Sequence, residues 1–250
     1  MSQSSEARIF AGITSECDKL FNTGNSAGVE RFLLEHLSAA ESNGHRYLQL
    51  FLQSELMGHY RMKGDTLHSL HAVESGMTLL KQLSDLDPIS RGTILINAGT
   101  ALSAAGKLDE ALAVYQQAGK SFSGVLKSDD YLQAGLLNNM ASVYAAQADI
   151  TSAEQCYLEA LDILKSNRKY TDSAVTCVNL AQLYAQRSQD DPLISVMLEC
   201  ALEFLDTPAL PRDGYSAHTC SKCIPVFEFL GETARAAELH SRIKEIYERN

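Results

Sequence analysis

Three residues near the end of the chain, His218, Cys220 and Cys223, have types and spacing that could bind a metal or support thiol chemistry. A Cys-x-x-Cys segment places two sulfur atoms on one helix face, but structural zinc normally needs four ligands. His240 is the one candidate ligand on the following helical segment. Both cysteines also fall on apolar positions of a helical pattern, so we predict that they pack into the core. The prediction is therefore no metal and no cofactor, with a metal- or thiol-dependent function as the less favoured alternative.

The remaining histidines and acidic pairs do not form the pattern of a catalytic site. His68 and His71 lie three residues apart on a predicted helix, but no carboxylate or cysteine completes a ligand set beside them. Asp129 and Asp130 precede a predicted helix, where carboxylates stabilise the N-terminus. No nucleophile lies in the sequence context that would activate it. We therefore predict that the protein is not an enzyme.

Three asparagines, Asn97, Asn139 and Asn179, recur inside predicted helices at spacings of 42 and 40 residues. Asparagine in a helix interior costs roughly 0.6 kcal/mol relative to alanine, so its repetition suggests a compensating contact. A carboxamide offers a hydrogen-bond donor and an acceptor, which together match the backbone of an extended peptide. The alternative is that these amides bridge neighbouring helices or cap local backbone, because buried polar groups need partners in either case.

The asparagines form one column of a repeat that runs through most of the chain. Apolar residues recur at Tyr60, Leu102, Tyr144, Tyr184 and Phe227. Mostly small residues recur where two helices must approach closely, at Ser69, Ala111, Ala153, Ile194 and Ala236 and at Gly76, Ala118, Ala160, Ala201 and Ile243. A turn column lies at Gly64, Gly106, Ala148, Ser188 and Gly231. Glycine in this column is typical of a left-handed helix C-cap, so each repeat is predicted to be a helical hairpin.

About six hairpins fill the chain, which predicts an all-α fold, a right-handed α-solenoid. We expect one domain over residues 1–250, with a divergent N-terminal hairpin at 1–45, central repeats at 46–206 and a capping hairpin at 207–250. Breaks rich in Asp, Ser, Thr and Pro separate the hairpins at SDLDPIS, KSDDY, KYTDS and DTPALPRDG. Pro225 falls inside the first helix of the last hairpin, where we expect a kink.

The segment NNMASVYAAQ, followed by Ala153, Tyr157 and Ala160, resembles the tetratricopeptide repeat (TPR), whose small and aromatic positions fall on the same columns. The likeness is strongest over residues 91–164. The usual unit has 34 residues, whereas the longer period here is similar to that of kinesin light chains and related adaptor and bacterial peptide-receptor proteins. The resemblance implies an interaction scaffold or adaptor and not a catalyst.

In this family the first helix of each hairpin lines a concave surface, so the resemblance implies that the asparagine column faces a groove. It carries a peptide-clamping role to Asn97, Asn139 and Asn179. Helical spacing adds polar residues at the same level or one turn away. These further candidates are Glu55, Thr93, Thr100, Ser142, Gln182, Gln186 and Lys222.

Composition narrows the class of partner. Hydrophobic residues make up 45% of the chain, charged residues 21%, and the formal net charge is −10. This charge opposes binding to nucleic acid and to anionic membranes. Neither a signal peptide nor a stretch long enough to span a membrane is evident, and the six cysteines are scattered, so we expect a cytoplasmic protein with reduced thiols. The expected partner is a protein or peptide.

A second hypothesis is an assembly module that associates with itself through its end helices or its convex face. Ile246 and Tyr247, in the polar final helix, motivate it as apolar residues expected to be exposed. A homo-oligomer is therefore the alternative to a peptide-binding scaffold.

Overall fold

The computed structural model describes residues 3–22 and 26–248, and within them twelve α-helices and no β-strand are found. The predicted all-α repeat fold is confirmed. No described helix is both long and apolar enough to cross a membrane. The helices are α1 Gln3–Asn22, α2 Ser26–Ser42, α3 Arg46–Met62, α4 Thr66–Gln82, α5 Pro88–Ala104, α6 Leu108–Phe122, α7 Tyr131–Ala146, α8 Ile150–Ser166, α9 Tyr170–Arg187, α10 Leu193–Asp206, α11 Gly214–Phe229 and α12 Thr233–Glu248.

The chain divides into two compact units, Met1–Val125 (unit 1) and Leu126–Asn250 (unit 2). Each unit contains three helical hairpins, α1 to α6 in unit 1 and α7 to α12 in unit 2. Within unit 1 the first helices of successive hairpins pack together, α1 against α3 and α3 against α5. Within unit 2, α9 likewise packs against both α7 and α11. Each unit therefore presents a face built from its first helices.

Aspartates start many of the helices, as the polar breaks predict. The side chain of Asp87 accepts a hydrogen bond from the backbone N–H of Ser90 at the start of α5, and Asp130 and Asp213 cap α7 and α11 in the same way. Such a cap satisfies one of the backbone donors left unpaired at a helix N-terminus. The segment KYTDS differs, because α9 already begins at Tyr170 and its N-cap residue Lys169 makes no side-chain hydrogen bond.

The start of α3 is capped by another helix. Its N-cap residue, His45, makes no side-chain capping bond. Instead Glu6 of α1, which is only 2% exposed, accepts a 2.8 Å hydrogen bond from the backbone N–H of Leu48. A carboxylate at a helix N-terminus also interacts favourably with the helix dipole. This long-range cap fixes α1 on α3, and helical periodicity does not reveal it.

The turn column is confirmed at four of its five positions. Gly64, Gly106 and Gly231 have positive φ, and Ala148 adopts the same left-handed conformation with φ of 61°. The prediction is wrong at Ser188, whose φ of −161° and ψ of 134° are extended. The reason is local, since Asp191 and Pro192 follow three and four residues later and the Asp191 carboxylate pairs with Arg187 at the end of α9. The chain therefore leaves this helix without a left-handed turn.

Small residues let the two helices of a hairpin approach closely. In the third hairpin Gly99 of α5 lies directly against the ring of Tyr115 in α6, and Gly92 lies against Phe122. A methyl group at either glycine would overlap with its ring. The predicted small positions Ala111, Ala118, Ala153 and Ala160 are all fully buried. Helix α11 continues through Pro225 to Phe229.

Candidate functional site

Two neighbouring asparagines on α7 have different surroundings. Asn138 shares a 3.0 Å hydrogen bond with the Thr176 hydroxyl of α9, and this hydroxyl also donates to the Asp172 carbonyl. Asn138 therefore holds α7 against α9, in line with the apolar residues Ile96 and Val178 at the matching positions of the adjacent repeats, which predict local packing. Asn139 lies half-buried, and its side chain forms no hydrogen bond with any part of the chain that the structure describes.

Asn179 of α9 is in the same state as Asn139. It is half-buried, and its carboxamide makes no hydrogen bond within residues 3–22 and 26–248. Asn138 precedes Asn139 on the neighbouring helix, but its amide is already engaged with Thr176. Unit 2 thus holds two carboxamides, on adjacent first helices, whose donors and acceptors are left for another molecule or for water.

The other candidates of unit 2 are solvent-exposed. Ser142, Gln182, Gln186 and Lys222 all lie on the first helices α7, α9 and α11. Ser142 has a structural role as well, because it hydrogen-bonds with the Tyr157 hydroxyl of α8; this bond opposes the effect of burial, which raises the pKa of Tyr157 to about 12. The face of unit 2 is therefore polar, with one cation at Lys222.

The asparagine of unit 1, Asn97, is already paired. Its Nδ2 donates a 2.8 Å hydrogen bond to the hydroxyl of Ser54 on α3. The alternative prediction, an amide that bridges neighbouring helices, therefore describes this nitrogen. The carbonyl oxygen of Asn97 accepts no hydrogen bond within the described residues, so half of the amide is still available.

Three of the predicted site residues meet in one cleft of unit 1. Glu55, Thr93 and Asn97 line a cavity of about 250 Å³ between α1, α3 and α5. Two phenyl rings, those of Phe10 and Phe51, form part of its wall with their centroids 5.2 Å apart. The remaining lining residues are Ser54, Ile89, Ser90 and Ile94. The cleft therefore combines apolar walls with a few polar groups, as small binding sites commonly do.

The hydroxyl groups of Thr93 and Thr100 donate hydrogen bonds to backbone carbonyls of their own helix, α5. Thr93 donates to the Ile89 carbonyl and Thr100 donates to the Ile96 carbonyl. The Tyr115 hydroxyl in turn donates to Thr100, at 3.2 Å. Thr100 in α5 and Ser142 in α7 therefore hold equivalent tyrosines of the second helices, and this packing role accounts for a hydroxyl at both positions.

Glu55 is the charged group of the unit 1 cleft. Burial raises the pKa of its carboxyl group, and the nearby carboxylate of Asp18 raises it further. No hydrogen bond or ion pair joins the Glu55 side chain to the described residues. The Glu55 carboxylate also affects Cys17. Burial raises the pKa of the Cys17 thiol, and the charge of Glu55 raises it further. The cleft is thus an electronegative site.

Phe10 and Phe51 were not predicted as site residues. Phe51 lies one turn before Glu55, level with Thr93, so helical spacing contains a signal for it. Phe10 lies in the divergent first hairpin, where the repeat columns cannot be followed. Aromatic side chains in such a repeat are usually assigned to the core, and this assumption hides both residues.

The cysteine segment is part of the core. Cys220 and Cys223 are 3% and 0% exposed, and both belong to one apolar cluster with Cys177 and Phe227. Burial raises the pKa of the Cys223 thiol to about 12, so it stays protonated and unreactive near neutral pH. His218 points to solvent. The core-packing prediction is confirmed, and no group of three potential metal ligands occurs among the described residues.

The end helix offers less apolar surface than expected. Tyr247 is 63% exposed, but Ile246 is buried with 4% exposure. The prediction that Ile246 is exposed is therefore wrong, because this residue lies on the face of α12 that packs into unit 2.

One hairpin of the chain matches a known repeat family. Residues 134–166, the hairpin of α7 and α8, match the tetratricopeptide repeat family. Among curated proteins, no sequence gives a significant match. The chain is therefore a helical-hairpin repeat protein with a tetratricopeptide repeat in unit 2, a fold that generally mediates protein–protein interaction.

Solved structures place the fold among the TPR-like proteins. BtubC (BKLC) from P. vanneervenii aligns over 100% of this chain and 92% of its own, with a TM-score of 0.55 at 17% identity. A putative kinesin light chain from Podosopora anserina with nearly identical TPR-like repeats aligns over 86% of this chain and 99% of its own, with a TM-score of 0.57 at 16% identity. A tetratricopeptide repeat protein from Parabacteroides merdae gives 0.51 at 15% identity, over 95% of this chain and 78% of its own. The fold thus resembles that of kinesin light chain-like repeats.

Proposed function

We propose that this protein is a non-catalytic scaffold that binds an extended segment of a partner protein along the faces built from its first helices. The observation that carries the proposal is the pair Asn139 and Asn179, two half-buried carboxamides on adjacent helices that have no partner among the residues the structure describes. Polar groups in such positions bond to water when no protein partner is present. These two are available to a ligand that supplies donors and acceptors together.

The backbone of an extended peptide is such a ligand. Each of its residues offers one N–H and one C=O, which a carboxamide can bind together without selecting a side chain. Packed helices lie about 8–10 Å apart, and an extended chain advances about 3.3 Å per residue. Successive amides would therefore meet the peptide about every third residue. Gln182 and Gln186, both exposed on α9, would extend the polar contact.

The first prediction concerns Asn139→Ala and Asn179→Ala, singly and together. A mixed library of fluorescent, capped heptapeptides serves as the probe, and binding to the purified protein is measured by fluorescence anisotropy. Each amide contributes about 1 kcal/mol of hydrogen bonding, so the double variant should bind at least about tenfold more weakly. Gln155→Ala, which removes an exposed amide on the second helix α8, is the matched control and should bind normally.

Thermal unfolding of the same variants separates binding from packing. Because neither amide has a partner within residues 3–22 and 26–248, Asn→Ala should leave stability unchanged or raise it by up to about 0.6 kcal/mol per site. Loss of stability together with unchanged peptide affinity would assign the amides to the fold and contradict the proposal. Absence of any peptide binding by the unmodified protein would contradict it as well.

A further inference from the structure

The cleft of unit 1 has the size of a pocket for one side chain. Its volume of about 250 Å³ lies below the roughly 300–1,000 Å³ typical of pockets for small-molecule ligands. Phe10 and Phe51 lie tilted against each other at 32° and supply aromatic surface. Ile89, at the rim, is 38% exposed, so the cleft is open to solvent at this edge.

Its polar groups are mainly hydrogen-bond acceptors. The Glu55 carboxylate has no partner among the described residues, and the Asn97 Nδ2 group is turned to Ser54, which leaves the Asn97 carbonyl oxygen unpaired. The Thr93 hydroxyl donates its proton to the Ile89 carbonyl. A ligand that brings several donors and a positive charge would therefore satisfy this cleft, whereas an anion would meet Glu55 and the neighbouring Asp18.

Three cations of unit 1, Lys19, Lys63 and Arg91, have partners other than Glu55. Lys19 pairs with Glu16 at 2.9 Å, and Lys63 pairs with Glu30. Arg91, close to the cleft on α5, donates its guanidinium protons to the backbone carbonyls of Leu80 and Leu83. None of these three side chains pairs with Glu55, and no ion pair among the described residues involves its carboxylate, so a ligand of opposite charge can bind it.

We propose that this cleft is a specificity pocket for an arginine side chain of the bound segment. The planar guanidinium stacks on the phenyl rings of Phe10 and Phe51, as cations do on aromatic faces. Its N–H groups donate to the Glu55 carboxylate and to the Asn97 carbonyl oxygen, and charge assistance makes these bonds stronger than neutral ones. Lysine carries a compact, strongly hydrated charge and lacks the planar donor group of arginine, so it fits the same site less well. The inference rests on the proposed function, since it names which segment the scaffold selects.

Capped heptapeptides of alanine and serine with one central residue test the pocket. The central residue is arginine, lysine, glutamate or citrulline, which keeps the shape of arginine without its charge. We expect the arginine peptide to bind about tenfold more tightly than the citrulline peptide, with lysine between them and glutamate weakest. Glu55→Gln, which keeps the side-chain shape, should remove the difference between arginine and citrulline. Glu41→Gln, an equal charge change on the exposed surface of α2, should preserve it.

A second measurement does not depend on peptide binding. In NMR spectra of the full chain, n-butylguanidinium should shift the ring signals of Phe10 and Phe51 and the side-chain carbonyl signal of Glu55 in a saturable way. It should also lower the pKa of Glu55, because a bound cation favours the ionised form. Glu55→Gln should abolish the ring shifts, and uncharged n-butylurea should produce none.

These experiments distinguish failure of the arginine pocket from failure of the proposed peptide-binding function. If guanidinium binds the cleft but no heptapeptide binds the protein, the pocket exists and the peptide-scaffold function is wrong. If peptides bind and weaken with Asn139→Ala, while arginine and citrulline bind equally, the function holds and the arginine pocket is wrong. Absence of ring shifts together with absence of discrimination overturns the pocket in every case.

Discussion

Two neighbouring asparagines on α7 have different roles, Asn138 in the fold and Asn139 in the proposed binding site. Asn138 is tied to Thr176 at 3.0 Å, whereas Asn139, the next residue, has no bond inside the described chain. The two positions differ by about 100° around the helix, so one faces the helix–helix contact and the other the open face. The sequence predicts this division, because the position of Asn138 is occupied by Ile96 and Val178 in the adjacent repeats.

His59 illustrates how a buried titratable residue can weaken a fold. It is 5% exposed, and its Nε2 atom lacks a hydrogen-bond partner, with the Glu30 carboxylate 3.7 Å away. Burial lowers the pKa of His59; Glu30 opposes this shift, and the charge of Lys63 supports it. The neutral imidazole is therefore the form that the folded protein favours.

The lowered pKa of His59 predicts that the stability of the protein depends on pH. The unfolded chain has an ordinary His59 pKa near 6.5, above that of the folded state, so unfolding takes up a proton as the pH falls below about 6.5. The free energy of unfolding should decrease there, with a contribution from His59 of at most about 1.4 kcal/mol per pH unit. Urea unfolding of wild type and His59→Gln between pH 7.5 and 5.5 measures it, and the variant should show the smaller decrease.

His71→Gln is the matched control for this titration, because His71 lies exposed on α4. Its pH dependence should follow the wild type. If His59→Gln and His71→Gln gave the same dependence as the wild type, the neutral state of His59 would have no part in stability.

At the scale of elements, the hairpins depend on glycine and alanine where the helices cross. In the third hairpin α5 presents Gly92 and Gly99 to the rings of Phe122 and Tyr115 in α6. Each ring occupies the space of a missing side chain, which gives the close packing of a protein interior. The aromatic residue in one helix and the glycine in the other therefore have to be read as a pair.

The variant Gly99→Ala tests this pair. An added methyl group would overlap with the Tyr115 ring, and overpacking of a core typically costs about 1–3 kcal/mol. This cost outweighs the gain of up to about 1 kcal/mol in helix propensity. The variant should therefore unfold at lower urea concentration than the wild type, as measured by circular dichroism.

Gly58→Ala in α3 supplies the opposite case. No atom lies within 4 Å of the position its methyl group would take, so only the gain in helix propensity remains. We expect this variant to be more stable than the wild type. Equal destabilisation by both substitutions would show that glycine is needed for some reason other than space.

The elements were more predictable than the contacts between them. The spacing of small and apolar residues predicts the hairpins, and the aspartates predict the starts of α5, α7 and α11. The turn after α9 departs from the pattern because Arg187 and Asp191 pair across it, a side-chain contact that no column contains. Long-range bonds such as that of Glu6 to Leu48 depend on the packed structure and leave no periodic trace.

The candidate site, like the fold, could be predicted only in part from the sequence. Repeat columns predict that Glu55, Thr93 and Asn97 lie near one another, and these residues line one cleft; their role in binding stays a prediction. The clamp of three aligned asparagines stays a prediction, since Asn97 lies in unit 1 and Asn139 and Asn179 lie in unit 2. The aromatic wall was missed because Phe10 belongs to the hairpin that departs most from the repeat.

At the scale of the whole molecule, the formal charge of −10 acts on every approaching ligand. It attracts a basic segment over distances set by the ionic strength, with a Debye length of about 30 Å at 0.01 M salt and about 8 Å at 0.15 M. Long-range attraction of this kind mainly speeds association. The arginine pocket would therefore select its ligand after the net charge has steered it.

The last prediction follows from this charge. Stopped-flow anisotropy with the arginine heptapeptide should show an association rate that falls on the order of tenfold between about 0.01 M and 0.15 M salt. The dissociation rate should change less, because the bound guanidinium is partly shielded from solvent. The citrulline peptide, which carries no charge, should show little change in either rate; equal salt dependence of the two peptides would contradict steering.

Helix α1, which is twenty residues long, has two structural roles. Glu6 holds the beginning of α3, and Phe10, one helical turn later, forms a wall of the cleft. Proteolytic release of this helix would therefore strip the pocket of an aromatic surface and leave the backbone of α3 without its cap. Loss of α1 would in this way affect the proposed arginine pocket and the start of the second hairpin together.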